Sequence, residues 1–570
     1  MLNINRISHS VRTMRPLRLL WMLSLLVAVC GHDARAEKKT VCSITVNSSD
    51  EKEAFRRSLP TDKFQFVELV ERGRPDWLAS ACRQGVRCDV LVVSGHYDGY
   101  NEFYSDQLGV HEFLPADELE RASCSRSCSG LFSQLKEVYL FGCNTLNPEA
   151  LKRTSAEIER SLARSGYSRA DAERLSRALS ARHGESSRDR MRLIFKDVPV
   201  IYGFSAKAPV GPVAASMLSG YFRSGGGGEI GSGRVSGGLR SHFSSSSLAA
   251  ASGLSDSDPL AALRRDVCQF SDEGLPAAQK LAFIHRLMGR EMAEVRMYLD
   301  RIERYTASLG ETERRSPDVA SAFDAIARDQ GARSRYLAFA RDADQPAVRA
   351  RMIAVAGDLG WLSPAEKRAE LARMIGEQLA KTSLNSADVD LACTLNKDLE
   401  LDQEIHRLQP SPVHANNVAQ AAVLACLGST EARAQLLLAL TSPTDDDVQI
   451  AQVYLRHRPI TDVQELRIIT SGIARMNDSK AQTRALDALA SQHLSDPQSL
   501  EELTRLFPVA ESLGVQVAIA GILIRSDYRA IATPELVQTL RQSRLGSSNG
   551  KDVIDVLIRQ LQAEMDPPQL

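Results

Sequence analysis

A histidine and a cysteine, His96 and Cys143, each close a short apolar block: Asp89-Val-Leu-Val-Val-Ser-Gly-His96 and Lys136-Glu-Val-Tyr-Leu-Phe-Gly-Cys143. Together the two side chains can carry out nucleophilic catalysis. A free thiol titrates near pH ~8.5, so it needs a local positive potential or a proton acceptor to react at neutral pH. An imidazole can take that proton and later return it to a leaving amine. Asp98, two residues past the histidine, is a candidate for orienting the imidazole or meeting a basic substrate side chain, although a loop aspartate more often forms a turn. The competing readings are plain: a lone cysteine at a strand end is a small buried filler, and a lone histidine is a hydrogen-bonded polar residue. Matching contexts at the ends of two apolar blocks favour the catalytic pair.

Such a pair has to be brought together, because the two residues lie 47 positions apart. In an open parallel sheet the carboxyl ends of neighbouring strands line one crevice, and that is where these blocks deliver their last residues. The surrounding pattern supplies such a sheet. Strands are expected at Val41–Asn47, Phe64–Val70, Val90–Ser94, Val138–Phe141 and Val198–Phe204, and Val90–Ser94 is apolar without alternation, as burial on both faces requires. Helices are expected at Glu51–Leu59, at Asp76–Arg83 and within Ala116–Leu135, and a charged, helix-rich insertion runs from Pro148 to about Arg192. Strands separated by helices imply a parallel α/β sheet.

With a histidine after the third strand and a cysteine after the fourth, residues 40–222 resemble the clan of cysteine peptidases that includes caspases, gingipains, separase and the CHAT-domain peptidases. Gly142-Cys143-Asn144-Thr145 is most similar to the CHAT version, in which Ala-Cys-Asn-Thr is common. The resemblance implies a caspase-like α/β sandwich, His96 and Cys143 as the catalytic dyad, the Cys143 N–H as an oxyanion donor, and no cofactor or metal. Two departures stand out. Relatives usually carry glycine directly after the histidine, where this chain has Tyr97-Asp98-Gly99, and Gly142 replaces the usual alanine before the nucleophile. An oxyanion hole needs donors already in place, so Gly95, Gly99 and Gly142 are the backbone positions expected to supply it.

Residues 1–36 read as an export signal: Arg12, Arg15 and Arg18 precede the apolar run Leu19–Val29, and Ala34-Arg35-Ala36 offers a cleavage site before Glu37. The apolar run is short for a retained membrane anchor, and a lipoprotein reading through Cys30 is opposed by the bulky Val29. The expected destination is the bacterial periplasm or the extracellular space. Nine cysteines remain after residue 36, six of them between 42 and 143. This suits a disulfide-bonded protein. The close pairs Cys82/Cys88 and Cys124/Cys128 lie in polar connecting segments, the pairing itself is open, and Cys143 is the expected free thiol. Cys124-x-x-x-Cys128 lacks a partner pair at a metal spacing. A formal charge of -1 and 5% aromatic residues give no electrostatic or stacking platform for nucleic acid or an anionic membrane, so the partners expected are proteins.

From Ser224 to Asp258 glycine and serine dominate, and residues 223–258 are expected to be a flexible linker or mobile loop. Leu281, Ile284, Met288, Met292, Val295, Leu299 and Ile302 recur at three or four, which predicts one long helix with a buried stripe inside a helical connector, 259–344. Beyond it, Val348–Leu359, Val389–Leu399, Val418–Leu427, Val448–Leu455, Thr483–Leu494, Val515–Ile524 and Val553–Leu561 recur about every 30–40 residues, the period of paired-helix solenoids. Asp344-Gln-Pro-Ala-Val348-Arg349 followed by Ala350, Ile353, Ala354 and Leu359 resembles the second helix of a HEAT repeat, which implies a HEAT-like solenoid over 345–570; an irregular helical bundle is the alternative. The expected whole is an exported cysteine endopeptidase (37–222) with a helical-repeat region that recognises protein. Its competitors are an inactive caspase-like scaffold that binds partners in the cell envelope and, from a third class, a zinc hydrolase.

Overall fold

The computed structural model describes residues 38–69, 78–99, 101–106, 112–128, 130–149, 158–160, 162–163, 166–183, 186–381, 383–401, 403–405, 415–547 and 550–565. The expected signal segment, 1–36, lies outside them. The chain divides into two compact units, the first comprising 1–152 and 177–276, the second 153–176 and 277–570.

The first unit is built on a six-stranded sheet. In chain order its strands are β1 (Lys39–Thr45), β2 (Phe64–Glu68), β3 (Val90–Ser94), β7 (Glu137–Phe141), β8 (Val200–Phe204) and β9 (Leu248–Ala251), ordered β2-β1-β3-β7-β8-β9. The first five are parallel and β9 runs antiparallel to β8. Between β3 and β7, three short strands, β4 (His96–Tyr97), β5 (Glu102–Tyr104) and β6 (Phe113–Pro115), form a separate antiparallel sheet. Alternation sorts the side chains of β3 between two cores. Leu91 and Val93 face one, with Leu119 and Ile194 of the helices Ala116–Cys124 and Ser187–Ile194. Val90 and Val92 face the other, with Phe55 and Leu218 of the helices Asp50–Ser58 and Gly211–Arg223. A strand buried on both faces has no room for polar residues, which is why β3 and β7 read as unbroken apolar blocks.

Four disulfides are formed: Cys42–Cys88, Cys82–Cys128, Cys124–Cys268 and Cys393–Cys426. Neither close pair closes on itself. Cys42 and Cys88 are fully buried beneath the sheet, and Cys124–Cys268 ties the helix Ala261–Ser271 to Ala116–Cys124. Such bridges fit an oxidising compartment.

Residues 223–258 are not a free linker. They form a helix at Gly237–His242 and the edge strand β9, and they bury Ile230, Leu239 and Phe243 in the sheet's second core. The glycines serve a backbone purpose. The N–H groups of Gly231, Ser232 and Gly233 donate to the buried Glu137 carboxylate at 2.9, 2.9 and 3.0 Å, and Gly231 and Gly233 adopt φ of 67° and 70°, where a Cβ is penalised. Arg234 and Arg240 are exposed.

The second unit, as described, is all helical. The expected long helix over 281–302 is instead three, Ala277–Met288, Met292–Met297 and Leu299–Ser308, although every residue of its apolar stripe is buried. The break after Met288 falls at Gly289, a poor helix residue. Farther on, the recurrent segments lie on the helices Pro346–Asp358, Ser386–Leu395, Val418–Cys426, Asp445–His457, Ser479–Leu489, Leu513–Arg525 and Val553–Met565, and each packs against the next. One device recurs: near the start of three of these helices a buried glutamine donates its amide to a carbonyl ending an earlier helix. The bonds are Gln420 to Leu379 O at 3.2 Å, Gln482 to Ile473 O at 2.8 Å and Gln516 to Phe507 O at 3.1 Å. Each adds a side-chain donor at a helix end, where carbonyls run short of intrahelical partners. No helix among the described residues is long and apolar enough to cross a membrane.

Candidate active site

Four neighbouring parallel strands, β1, β3, β7 and β8, send their carboxyl-terminal turns to one edge of the sheet. A cleft of about 460 Å³ opens there, lined from all four turns by residues that include Glu51, His96, Cys143 and Gly211. Ser94 and Phe141, the last residues of β3 and β7, are paired in register, so His96 and Cys143, each two residues farther on, emerge side by side.

His96 opens β4 and pairs across that small sheet with Tyr104, whose ring lies 5.5 Å from the imidazole. The same hairpin brings back Asp106, with Oδ2 3.0 Å from His96 Nε2. Its neighbour Ser105 donates to Asn47 Oδ1 at 3.0 Å, which moors this carboxylate's loop to the end of β1. With Nε2–H given to Asp106, Nδ1 is the nitrogen left to accept a proton. Asp106 carried no sequence signal; only the hairpin brings it to the histidine. Asp98 is engaged as a turn former, accepting from the N–H groups of Asn101 and Glu102 at 2.7 and 3.1 Å.

Cys143 is a partly buried free thiol, and the Ala208 backbone N–H donates to its Sγ at 3.3 Å. The two residues after it build its turn. Asn144 has φ 59°, a left-handed conformation that asparagine tolerates better than most side chains, and its N–H donates to Ala206 O at 2.7 Å. The fully buried Thr145 donates to Gly142 O at 3.1 Å and accepts from the Phe204 N–H at 3.0 Å. The chain leaving β8 therefore grips the turn at Cys143 at three points.

The two departures from the peptidase pattern are one structural fact. A methyl group on Gly142 would lie 2.8 Å from Tyr97 Cβ and 2.9 Å from Gly95 O, well inside van der Waals contact. Tyr97 thus occupies the space into which an alanine before the cysteine would project. Of the three glycines expected to serve an oxyanion, Gly95 and Gly142 line the cleft and Gly99 does not. The Gly95 N–H is directed within the sheet to Phe141 O at 3.3 Å, and Gly99 lies in a turn whose carbonyl accepts from the Ser187 hydroxyl.

One wall of the cleft is acidic. Asp50 and Glu51 begin the helix Asp50–Ser58, and Glu51 is only 3% exposed. Burial pushes its carboxyl from the ordinary 4.5 up to about 7; its own backbone N–H and the neighbouring Ser94 hydroxyl offset part of the rise, and the Asp50 charge adds to it. In the sequence, acids in a helix's first turn are unremarkable complements to its dipole, so nothing marked Glu51. Among the described residues no group of three His, Cys, Asp or Glu side chains is placed to hold a metal ion. No protein-family model, curated protein or solved structure matches the chain.

Proposed function

We propose that this chain is an exported cysteine endopeptidase of the caspase-like/CHAT-like kind, with His96 and Cys143 as its dyad and a HEAT-like helical region that recruits protein. The observation that carries the reading is the convergence of the one free cysteine among the described residues and a carboxylate-held histidine on a single cleft at the sheet's carboxyl edge. Crevices of this kind are where open α/β sheets hold ligands.

His96 takes the thiol proton through Nδ1, and Sγ attacks the substrate carbonyl to give a tetrahedral oxyanion, stabilised by the Cys143 N–H. Collapse breaks the C–N bond, and the amine leaves with the proton returned by His96. Water, deprotonated by the same imidazole, then hydrolyses the thioester and regenerates the thiol. Asp106 holds the imidazole orientation and offsets its positive charge in both steps, as the third group does in other triads. No cofactor enters the scheme.

Incubating the chain from residue 37 onward with a mixed peptide library and sequencing the products tests this. Cleavage that vanishes in both Cys143→Ala and His96→Ala is the expected outcome; an intact library rejects hydrolysis and leaves the partner-binding scaffold in its place.

A further inference from the structure

A second cleft, of about 420 Å³, is built wholly from the helical unit. The helices Pro346–Asp358, Pro364–Leu379 and Ser386–Leu395 line it, together with the loop that follows the last of them. Leu362, Leu371 and Leu401 give it an apolar lining, and charged side chains of both signs stand among them. Some of these are engaged: Arg368 and Glu400 pair at 3.5 Å, and Asp358 accepts from the fully buried Thr306 hydroxyl at 3.4 Å. Lys367, Lys397 and Asp398 enter no ion pair with any described residue. The free charges of the cleft are therefore two ammonium groups and one carboxylate. The Lys367 stem lies against Gly357, where a Cβ would be 3.1 Å from Lys367 Cδ, so the glycine leaves that stem its place. The loop 396–401 is firmly held. Its buried Asn396 donates to Cys426 O at 2.8 Å and accepts from the Leu401 N–H at 2.9 Å, and Arg458 donates to Lys397 O at 3.0 Å. The Cys393–Cys426 disulfide anchors the helix that leads into it. Within this loop Leu399 is 51% exposed at a φ of 59°, a conformation that side chains disfavour. Loops fixed by a rigid scaffold, with their own side chains left unpaired, are where recognition residues concentrate.

We propose that this cleft captures the carboxyl-terminal residue of a partner polypeptide that ends in an aliphatic side chain. Lys367 and Lys397 take the terminal carboxylate, the leucines take the side chain, and Asp398 accepts a backbone N–H of the terminal segment. This rests on the reading of the helical region as a surface that recruits protein, and it holds whether or not Cys143 hydrolyses anything. The mixture of groups selects the occupant. A lysine brings only donors and an ionised aspartate only acceptors, so a cleft that leaves both signs free fits a ligand that carries both. A chain end places a carboxylate, an aliphatic side chain and an N–H donor on one residue, within the reach of a cleft of this size. An amidated end would leave both ammonium groups without an anion. A terminal glycine would leave the leucines uncovered. Because the lysines are open to solvent or nearly so, the attraction is screened by salt.

The test is calorimetric binding to the Cys143→Ala chain, from residue 37 onward, of the acetylated peptide Ala-Ala-Ala-Leu as the free acid, as the amide, and with glycine in place of the leucine. The free acid ending in leucine is expected to bind at least about 10-fold tighter than either of the others, with the preference over the amide shrinking between 50 and 500 mM salt (about 10 to 4 Å of screening length is crossed). The double substitution Lys367→Gln and Lys397→Gln should abolish the preference for the acid while the urea midpoint of the chain stays at the parent value. Equal binding of acid and amide, no measurable binding of any peptide, free leucine binding as tightly as the peptide acid, or an undiminished preference in the folded double variant would overturn the proposal. The acid-to-amide ratio and its salt dependence are read on unsubstituted lysines, so they decide the matter even if the double variant fails to fold. Cleavage by the chain with Cys143 intact is read separately. Capture of the chain end without cleavage removes the peptidase reading and leaves this site standing; cleavage without capture does the reverse.

Discussion

Replacing Glu51 by glutamine isolates the most unusual ionisation in the cleft. In the folded chain burial raises this carboxyl from 4.5 to about 7, and at about 1.4 kcal/mol per pH unit its ionisation costs the folded state about 3 kcal/mol. Because the folded value lies above the unfolded one, the native state holds the proton more tightly. Stability from this group is complete below pH 4.5, drains away as pH rises towards 7, and levels off above. A glutamine side chain keeps the shape of the protonated acid and has nothing to ionise. The stability of Glu51→Gln minus that of the parent should therefore stay near its pH 4.5 value at low pH, climb through pH 5–7, and have gained about 3 kcal/mol by pH 8. The assay is urea unfolding of both chains at matched pH, followed by hydrogen exchange of the β1 and β3 amides, so that the first unit is read directly. A difference that does not change between pH 4.5 and 8 would mean that Glu51 ionises as in water, and the desolvated acidic wall would have to be given up.

Gly142→Ala should destabilise the first unit by about 1–3 kcal/mol, and a double-mutant cycle with Tyr97→Gly should show a favourable coupling of about 1 kcal/mol or more; zero coupling in urea unfolding would separate the two positions. Thiol titration of the chain from residue 37, denatured without reductant, should count a single reactive cysteine and eight more after reduction. A different count would break the bridging pattern. Asp106→Asn should lower kcat by about 10-fold or more while KM changes little, and a pure KM effect would make Asp106 a substrate contact instead of a positioning residue.

What was legible in the sequence followed from burial. Two-sided burial makes β3 and β7 continuous apolar runs, so their ends, and with them His96 and Cys143, stood out. The helical recurrence was legible for the same reason, since each of the seven stripes faces a neighbouring helix. What failed was whatever backbone geometry or long-range pairing decides. The glycine-serine segment lacks side chains to bury, yet its N–H groups wrap the Glu137 carboxylate and its few apolar residues, Ile230, Leu239 and Phe243, pin it to the core. The strand Leu248–Ala251 is three alanines after a leucine, with none of the β-branched signal that marks a strand. Periodicity carried the stripe 281–302 across Gly289, where the helix stops, because the side chains keep facing one core after the backbone has turned. Asp106 and Glu51 were missed because acids in a loop or a first helical turn look solvated until the fold encloses them.

The most direct measurement of the central claim is the rate at which iodoacetamide alkylates Cys143 at pH 7, read by peptide mass spectrometry on the chain from residue 37 and on its His96→Ala form. A histidine poised to take the thiol proton predicts rapid, site-selective alkylation that falls at least about 10-fold when the imidazole is removed. Identical rates in the two proteins, or a Cys143 found in a disulfide, would contradict the dyad.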